Sequence, residues 1–293
     1  MWIPRLVFAF GLSPSLIEEE GYRGEVMEKT ITLINTSSSS QTYYLDVLGF
    51  EPKEEEGIPV FDFQAQPIMA SWFAFSENPL VVQAQNTKEI KVIIAIPADI
   101  PSATYYLAVT ISPAPEEIIS QGASVQAKTA VLFFVTVLGE GESQNIALLD
   151  FFSEAPLSSL GPEKFIFRLQ NQGTIMAAPT GTIIVRDVFG RRAADLEANG
   201  TGGRLLPGKN RTYEVPWQMI KIDSFLDRVF EQWRHFRLGP YTADLYLSYG
   251  NQEEIKDTIR FWIIPWHALL SLGIFFGVLS GFFYGYKNRL KKR

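Results

Sequence analysis

The side chains able to do chemistry are few in kind. The 293 residues include no cysteine and only two histidines, His235 and His267. Thiol catalysis and cysteine-held metals are excluded, and a zinc hydrolase or a Ser-His-Asp site is hard to assemble from that stock. Carboxylates are plentiful, 32 against 26 basic residues, and Glu51, Glu54, Glu55, Glu56 and Asp62 crowd into one stretch. Hard cations take carboxylate oxygens, but this run lacks the alternating spacing and central glycine of an EF-hand loop, so it reads as a solvated loop. A glycosidase would need two acids facing each other across a cleft about 5–10 Å wide, which chain spacing does not specify. Trp72, Phe73 and Phe75 form an aromatic group. It reads first as core plugs where the chain crosses between sheets, with a platform for a sugar or partner as the sharper alternative. The expectation is a binding protein, not an enzyme, with no cofactor and no bound metal. A net charge of −6 also opposes a nucleic-acid partner, whose phosphates need a basic surface.

The elements that would position such a surface begin with a membrane segment. From Phe261 to Tyr286 there is no Lys, Arg, Asp or Glu across 26 residues, and a span needs about 20. Trp262 and Trp266 flank one end and Tyr284 and Tyr286 the other, as aromatic rings do at bilayer interfaces. Residues 265–286 are therefore expected to form a transmembrane helix in contact with membrane lipid. The tail, 287–293, carries Lys287, Arg289, Lys291, Lys292 and Arg293 and no acid, which places it in the cytoplasm and the acidic body outside. Gly273, Gly277, Gly281 and Gly285 recur every four residues, a smooth stripe suited to helix–helix association in the membrane. Export needs a signal. Residues 1–11, with Arg5 and a short apolar run from Leu6 to Phe10, read as a signal-peptide remnant or as a short first strand.

Between these ends the chain reads as short alternating segments separated by turn clusters, the pattern of a sandwich. Residues 12–140 and 145–264 are expected to be two immunoglobulin-like β-sandwiches in tandem, an all-β body. Gly139 to Ser143 is the polar joint between them. A long hydrophobic run from Ala123 to Leu138 reads as a central strand of the first. The second contains one departure: over 224–238, Phe225, Val229, Trp233 and Phe236 recur at helical spacing, and Gly239-Pro240 ends the run. Such a helix would cover one end of the sandwich. Resting on lipid headgroups, with Arg234, His235 and Arg237 facing phosphate, is the alternative. Asn35, Asn199 and Asn210 match the Asn-x-Ser/Thr pattern, to which a bacterial source gives little weight; the absence of cysteine fits that source.

The order of these signals resembles the WxL-interacting proteins of Gram-positive cell surfaces. The resemblance rests on Ser13-Pro14, Gly24-Glu25, Asn35-Thr36-Ser37, Pro97 before Tyr105-Tyr106, and Gly139 in the first domain. In the second it rests on Asn171-Gln172-Gly173, Leu206-Pro207-Gly208 and Gly239-Pro240-Tyr241. It implies a peptidoglycan-binding first domain and a ligand-binding second domain on one membrane helix. The leading expectation is thus a cell-envelope scaffold that engages cell-wall polymer or another surface protein. The alternative is a membrane-tethered chaperone or assembly factor that offers a sheet edge to a client strand. An open edge beside the Ala123–Leu138 strand would favour the latter.

Overall fold

The computed structural model describes residues 10–53, 55, 57–62, 68–113, 128–217, 224–250 and 253–290. They form two compact units, each a two-sheet immunoglobulin-like sandwich. The first comprises Met1–Ile146 with two loops, Asn171–Ala177 and Leu206–Lys209; the second comprises Ala147–Gln170, Ala178–Leu205 and Asn210–Arg293.

In the first unit one sheet runs β1 (Phe10–Ser13), β3 (Val26–Asn35), β8 (Asn86–Ala95) and β6 (Phe73–Phe75). The other runs β2 (Leu16–Tyr22), β10 (Thr129–Leu138), β9 (Thr104–Ser112), β4 (Gln41–Lys53) and β5 (Ile58–Asp62), with β7 (Leu80–Val82) also on β4. Phe10 and Gly11 thus belong to a strand; residues 1–9 lie outside the described residues. Alternation drives the assembly. In β8, Ile90, Val92 and Ile94 are buried while Glu89 and Lys91 face out, and Val131, Phe133, Val135 and Val137 of β10 meet them. Each such burial contributes about 1.5–3 kcal/mol.

The second unit repeats the plan. One sheet is β11 (Ile146–Ser153), β13 (Lys164–Asn171) and β16 (Asn210–Pro216). The other is β12 (Leu157–Ser158), β18 (Glu253–Ile263), β17 (Gly239–Tyr249), β14 (Thr180–Arg186) and β15 (Arg192–Glu197). Phe165, Phe167, Ile183, Leu245 and Phe261 form its centre, all fully buried.

The Asn-containing turns that follow β3 and β13 share one device. Asn35 and Asn171 are both fully buried at the ends of β3 and β13. Asn35 Oδ1 accepts from Ser37 N at 3.0 Å and its Nδ2 donates to Ser39 O at 3.0 Å; Asn171 Oδ1 accepts from Gly173 N at 2.9 Å and its Nδ2 donates to Ile175 O at 2.8 Å. The side chain thereby closes a turn and satisfies its own buried amide. Gly173 is required by space: a Cβ there would lie 2.2 Å from Ser143 O. Asn199 is braced likewise, donating to Pro179 O and Gly203 O, so neither Asn35 nor Asn199 presents its amide for glycosylation in the folded chain.

Two expectations change. The β10 edge is not open: β2 runs parallel to it from Leu132 opposite Leu16 to Leu138 opposite Tyr22, and residues 123–127 lie outside the described residues. The helix exists, as α1 (Phe225–Arg234), but it does not cover the sandwich. It packs on α2 (Trp266–Leu290), the helix long and apolar enough over Trp266–Asn288 to cross a membrane. Arg237 stays half-buried with its guanidinium 5.0 Å from the Trp217 ring.

Candidate functional site

The two sandwiches differ at one place that matters for binding. In the first, the sheet edge beyond β8 is occupied: Phe73, Ala74 and Phe75 of β6 pair with Ile94, Ile93 and Val92. A 3-10 helix (Ile68–Trp72) leads into β6 and places Trp72 in the core against Tyr105, with ring centroids 5.0 Å apart; Phe73 meets Phe133 at 5.3 Å. Trp72 is 4% exposed and Phe73 9%. These aromatics are core plugs, and neither offers a ring face to a sugar or a partner; Phe75 is half-buried beside them.

In the second unit β16 takes the position of β8, and among the described residues no strand lies beyond it. The chain returns from β15 directly through a glycine-rich bend to β16. Between these two terminal strands a groove of about 530 Å³ remains, within the range of ligand sites. Its floor is Ala198, Tyr213 and Val215, all buried; its rim carries Asp195, Glu197 and Glu214. Asn199, with Oδ1 accepting from Gly203 N at 2.7 Å, holds the bend at the groove's end. Tyr213 donates its hydroxyl to Gly203 O at 3.2 Å and stacks on Phe167 at 4.9 Å. Burial pushes the Tyr213 hydroxyl up to about 12, against the opposing pull of Arg211 and Arg204. Arg211 lies with its guanidinium 5.5 Å from the Tyr213 ring and donates to Arg204 O at 2.7 Å, so its charge is committed to the wall. Glu214 holds Lys164 at 2.8 Å and Asp195 holds Arg192 at 2.9 Å. The hydrogen bond that Lys164 donates to Glu214 raises its ammonium above the usual range.

Among the described residues no three His, Asp or Glu side chains converge as a metal site would need. Of the acidic stretch in the first unit, Glu51 is paired with Lys209 at 2.5 Å, and Glu54 and Glu56 lie outside the described residues. On α2 the four glycines each face open space, and the tail's last three residues are outside the described ones. Sequence reasoning did not single out the groove. Apart from the Asn-x-Ser/Thr match at Asn199, its residues carry no motif; a further signal is the stretch 198–209, which lacks a strand where the first unit has further strands.

Neither a protein-family model nor a curated protein sequence matches the chain. Among solved structures, a chaperone–tip adhesin complex of CFA/I fimbriae matches with a TM-score of 0.41 and 12% identity, covering 88% of this chain and 99% of that one. The class 5 fimbriae chaperone CfaA matches with a TM-score of 0.42 and 13% identity, covering 88% and 100%. The E. coli chaperone DraB gives 0.39 and 11%, covering 85% and 96%. Likenesses this distant carry no functional inference.

Proposed function

We propose that this chain is a membrane-tethered, non-catalytic binding module that holds an extended segment of another envelope protein, in the manner of an assembly factor. The observation that carries the reading is the groove between β15 and β16, at the position that β6 fills in the first unit. A sandwich that accommodates a strand there in one unit supports a strand-like occupant in the other, and extended peptides are readily held at sheet edges. Two of the three rim carboxylates, Asp195 and Glu214, are already paired with Arg192 and Lys164, so main-chain pairing and shape, not rim charge, would select the segment. The basic tail after α2 supports a cytoplasmic C-terminus, with both sandwiches on the opposite side of the membrane.

The test uses the full chain in its own membranes, with a photo-crosslinking residue at Thr201 or Asp195 in the groove and, as control, at exposed Tyr22 of the first unit. The expected result is a discrete protein adduct from the groove positions and none from Tyr22. Adducts to glycan would move the function to the cell-wall polymer that the WxL resemblance implies. Equal labelling at Tyr22, or none in the groove, would end the proposal.

A further inference from the structure

The helix α1 and the first turns of α2 form a device that the groove does not use. Ten residues long, α1 divides cleanly: Phe225, Leu226, Val229, Phe230 and Trp233 lie on one side, Asp227, Arg228, Glu231 and Arg234 on the other. Only Gln232 is buried. Its side chain is a clamp: Nε2 lies 2.9 Å from His267 Nδ1, and Oε1 accepts from Ala268 N at 2.9 Å. Ala268 N is one of the first-turn amides of α2 that has no partner within the helix, and at the mouth of a bilayer an unsatisfied amide is expensive. Gln232 is thus a remote cap, and it ties α1 to one level of α2. A second tie is Trp233 Nε1 donating to Ser271 Oγ at 3.0 Å, and a third is the Phe225 ring 5.3 Å from His267.

These ties use only one margin of the apolar side. Phe230 is 72% exposed and Leu226 64%, on the same side of α1 as Trp233, which is bonded to Ser271 of the span. In water such a surface would be a liability of the kind that marks a contact. We infer that α1 lies in the plane of the bilayer that α2 crosses, with Leu226, Phe230 and Trp233 immersed in the leaflet on the side of the sandwiches. The occupant is lipid because this face is held by Trp233 against Ser271, a residue of the span itself. Depth agrees: at 1.5 Å per residue, Ser271 lies about 7 Å along the helix from Trp266, and interfacial helices sit about 5–10 Å into the headgroup boundary. The charged side carries two acids and two arginines, so insertion requires no anionic lipid. The consequence is a second membrane contact for the second unit. It fixes the direction in which β18 leaves the surface, where Pro265 alone would leave a swivel.

The absence of cysteine makes the test direct. Single-cysteine variants of the full chain, spin-labelled in phosphatidylcholine nanodiscs, are scanned for collision with lipid-dissolved oxygen and with an aqueous nickel chelate. Leu226→Cys and Phe230→Cys should favour oxygen several-fold; Glu231→Cys and Arg234→Cys should favour nickel. Phe275→Cys on α2 checks that the span is inserted, and it is this control, not the groove, on which the inference depends. With Phe275→Cys lipid-facing, nickel access at Phe230→Cys equal to that at Arg234→Cys overturns the inference. So does a label at Phe230→Cys that is shielded from both reagents with dimer-distance dipolar broadening, which would make a second copy the occupant. Gln232→Leu should leave α2 inserted but flatten the oxygen contrast along α1.

Discussion

The two sandwiches share one strand plan and differ in how their edges are finished. β1 and β2 divide the first strand of unit one between its sheets; β11 and β12 do the same in unit two. Then the copies part. β2 covers seven residues of β10, whereas β12 pairs with β18 only at Trp262 and Ile263. β6 pairs with Val92 to Ile94 of β8, whereas among the described residues no strand follows β16 in its sheet. A covered edge adds burial and hinders adventitious strand pairing. The second unit keeps two margins available and protects one of them with charge: Glu254, Lys256, Asp257 and Arg260 line the uncovered part of β18. For that reason the proposed strand-like occupant is assigned to the second unit.

That contrast can be broken most sharply at the plugs. Trp72→Ala in the first unit should cost about 3–5 kcal/mol, read as a lowered thermal midpoint of the full chain in detergent. Thr201→Ala on the groove wall should shift it by less than about 0.5 kcal/mol. Comparable losses at both positions would mean that the groove is as structural as the plug. Next in size are the shared turns. Asn35→Ala leaves Val82 O and Gln83 O without the 3.1 and 3.0 Å bonds they now accept, and should cost on the order of 2–3 kcal/mol. Asn171→Ala should cost a similar amount if the turns after β3 and β13 use the device equally.

Tyr213 sharpens the comparison through pH. Its folded hydroxyl titrates near 12 against 10.0 in the open chain. Raised in the fold, it stabilises fully below pH 10, and that contribution is lost as pH climbs from 10 towards 12. The loss is on the order of 2–3 kcal/mol. Burial raises Tyr43, Tyr105, Tyr106 and Tyr241 in the same sense, so the readout is the difference between the wild type and Tyr213→Phe. Identical alkaline profiles for the two would remove Tyr213 as the floor's buried anchor. The smallest effect is expected at the β18 margin. Replacing Lys256 and Arg260 with valine should leave stability within about 0.5 kcal/mol yet promote edge-to-edge association, measurable by sedimentation; a strictly unchanged oligomeric state would show that the margin is shielded by something other than charge.

Much of this architecture is legible along the chain because its causes are local. The uncharged stretch before Lys287 announces the span wherever it sits in the fold, and alternation in Ile90, Val92 and Ile94 marks a strand with one buried face. Asn35 and Asn171 signal their turns because an asparagine bonds its own backbone two residues on. The helix α1 was also readable from its period, but its packing partner was not. Gln232 looks like a solvent-side residue of an amphipathic helix until Ala268 N is found beside it.

The sequence by itself determined the element types, the tandem plan and the apolar helix, since hydrophobic period and turn chemistry act between near neighbours. Only the tertiary structure decided which edges are covered. β6 spans three residues and β12 two, too short for periodicity to register, and each matters only through a partner far away in the chain. A groove made by a strand that is not there has no residue to announce it. Its existence follows from long-range pairing, which residue types at either end do not encode separately.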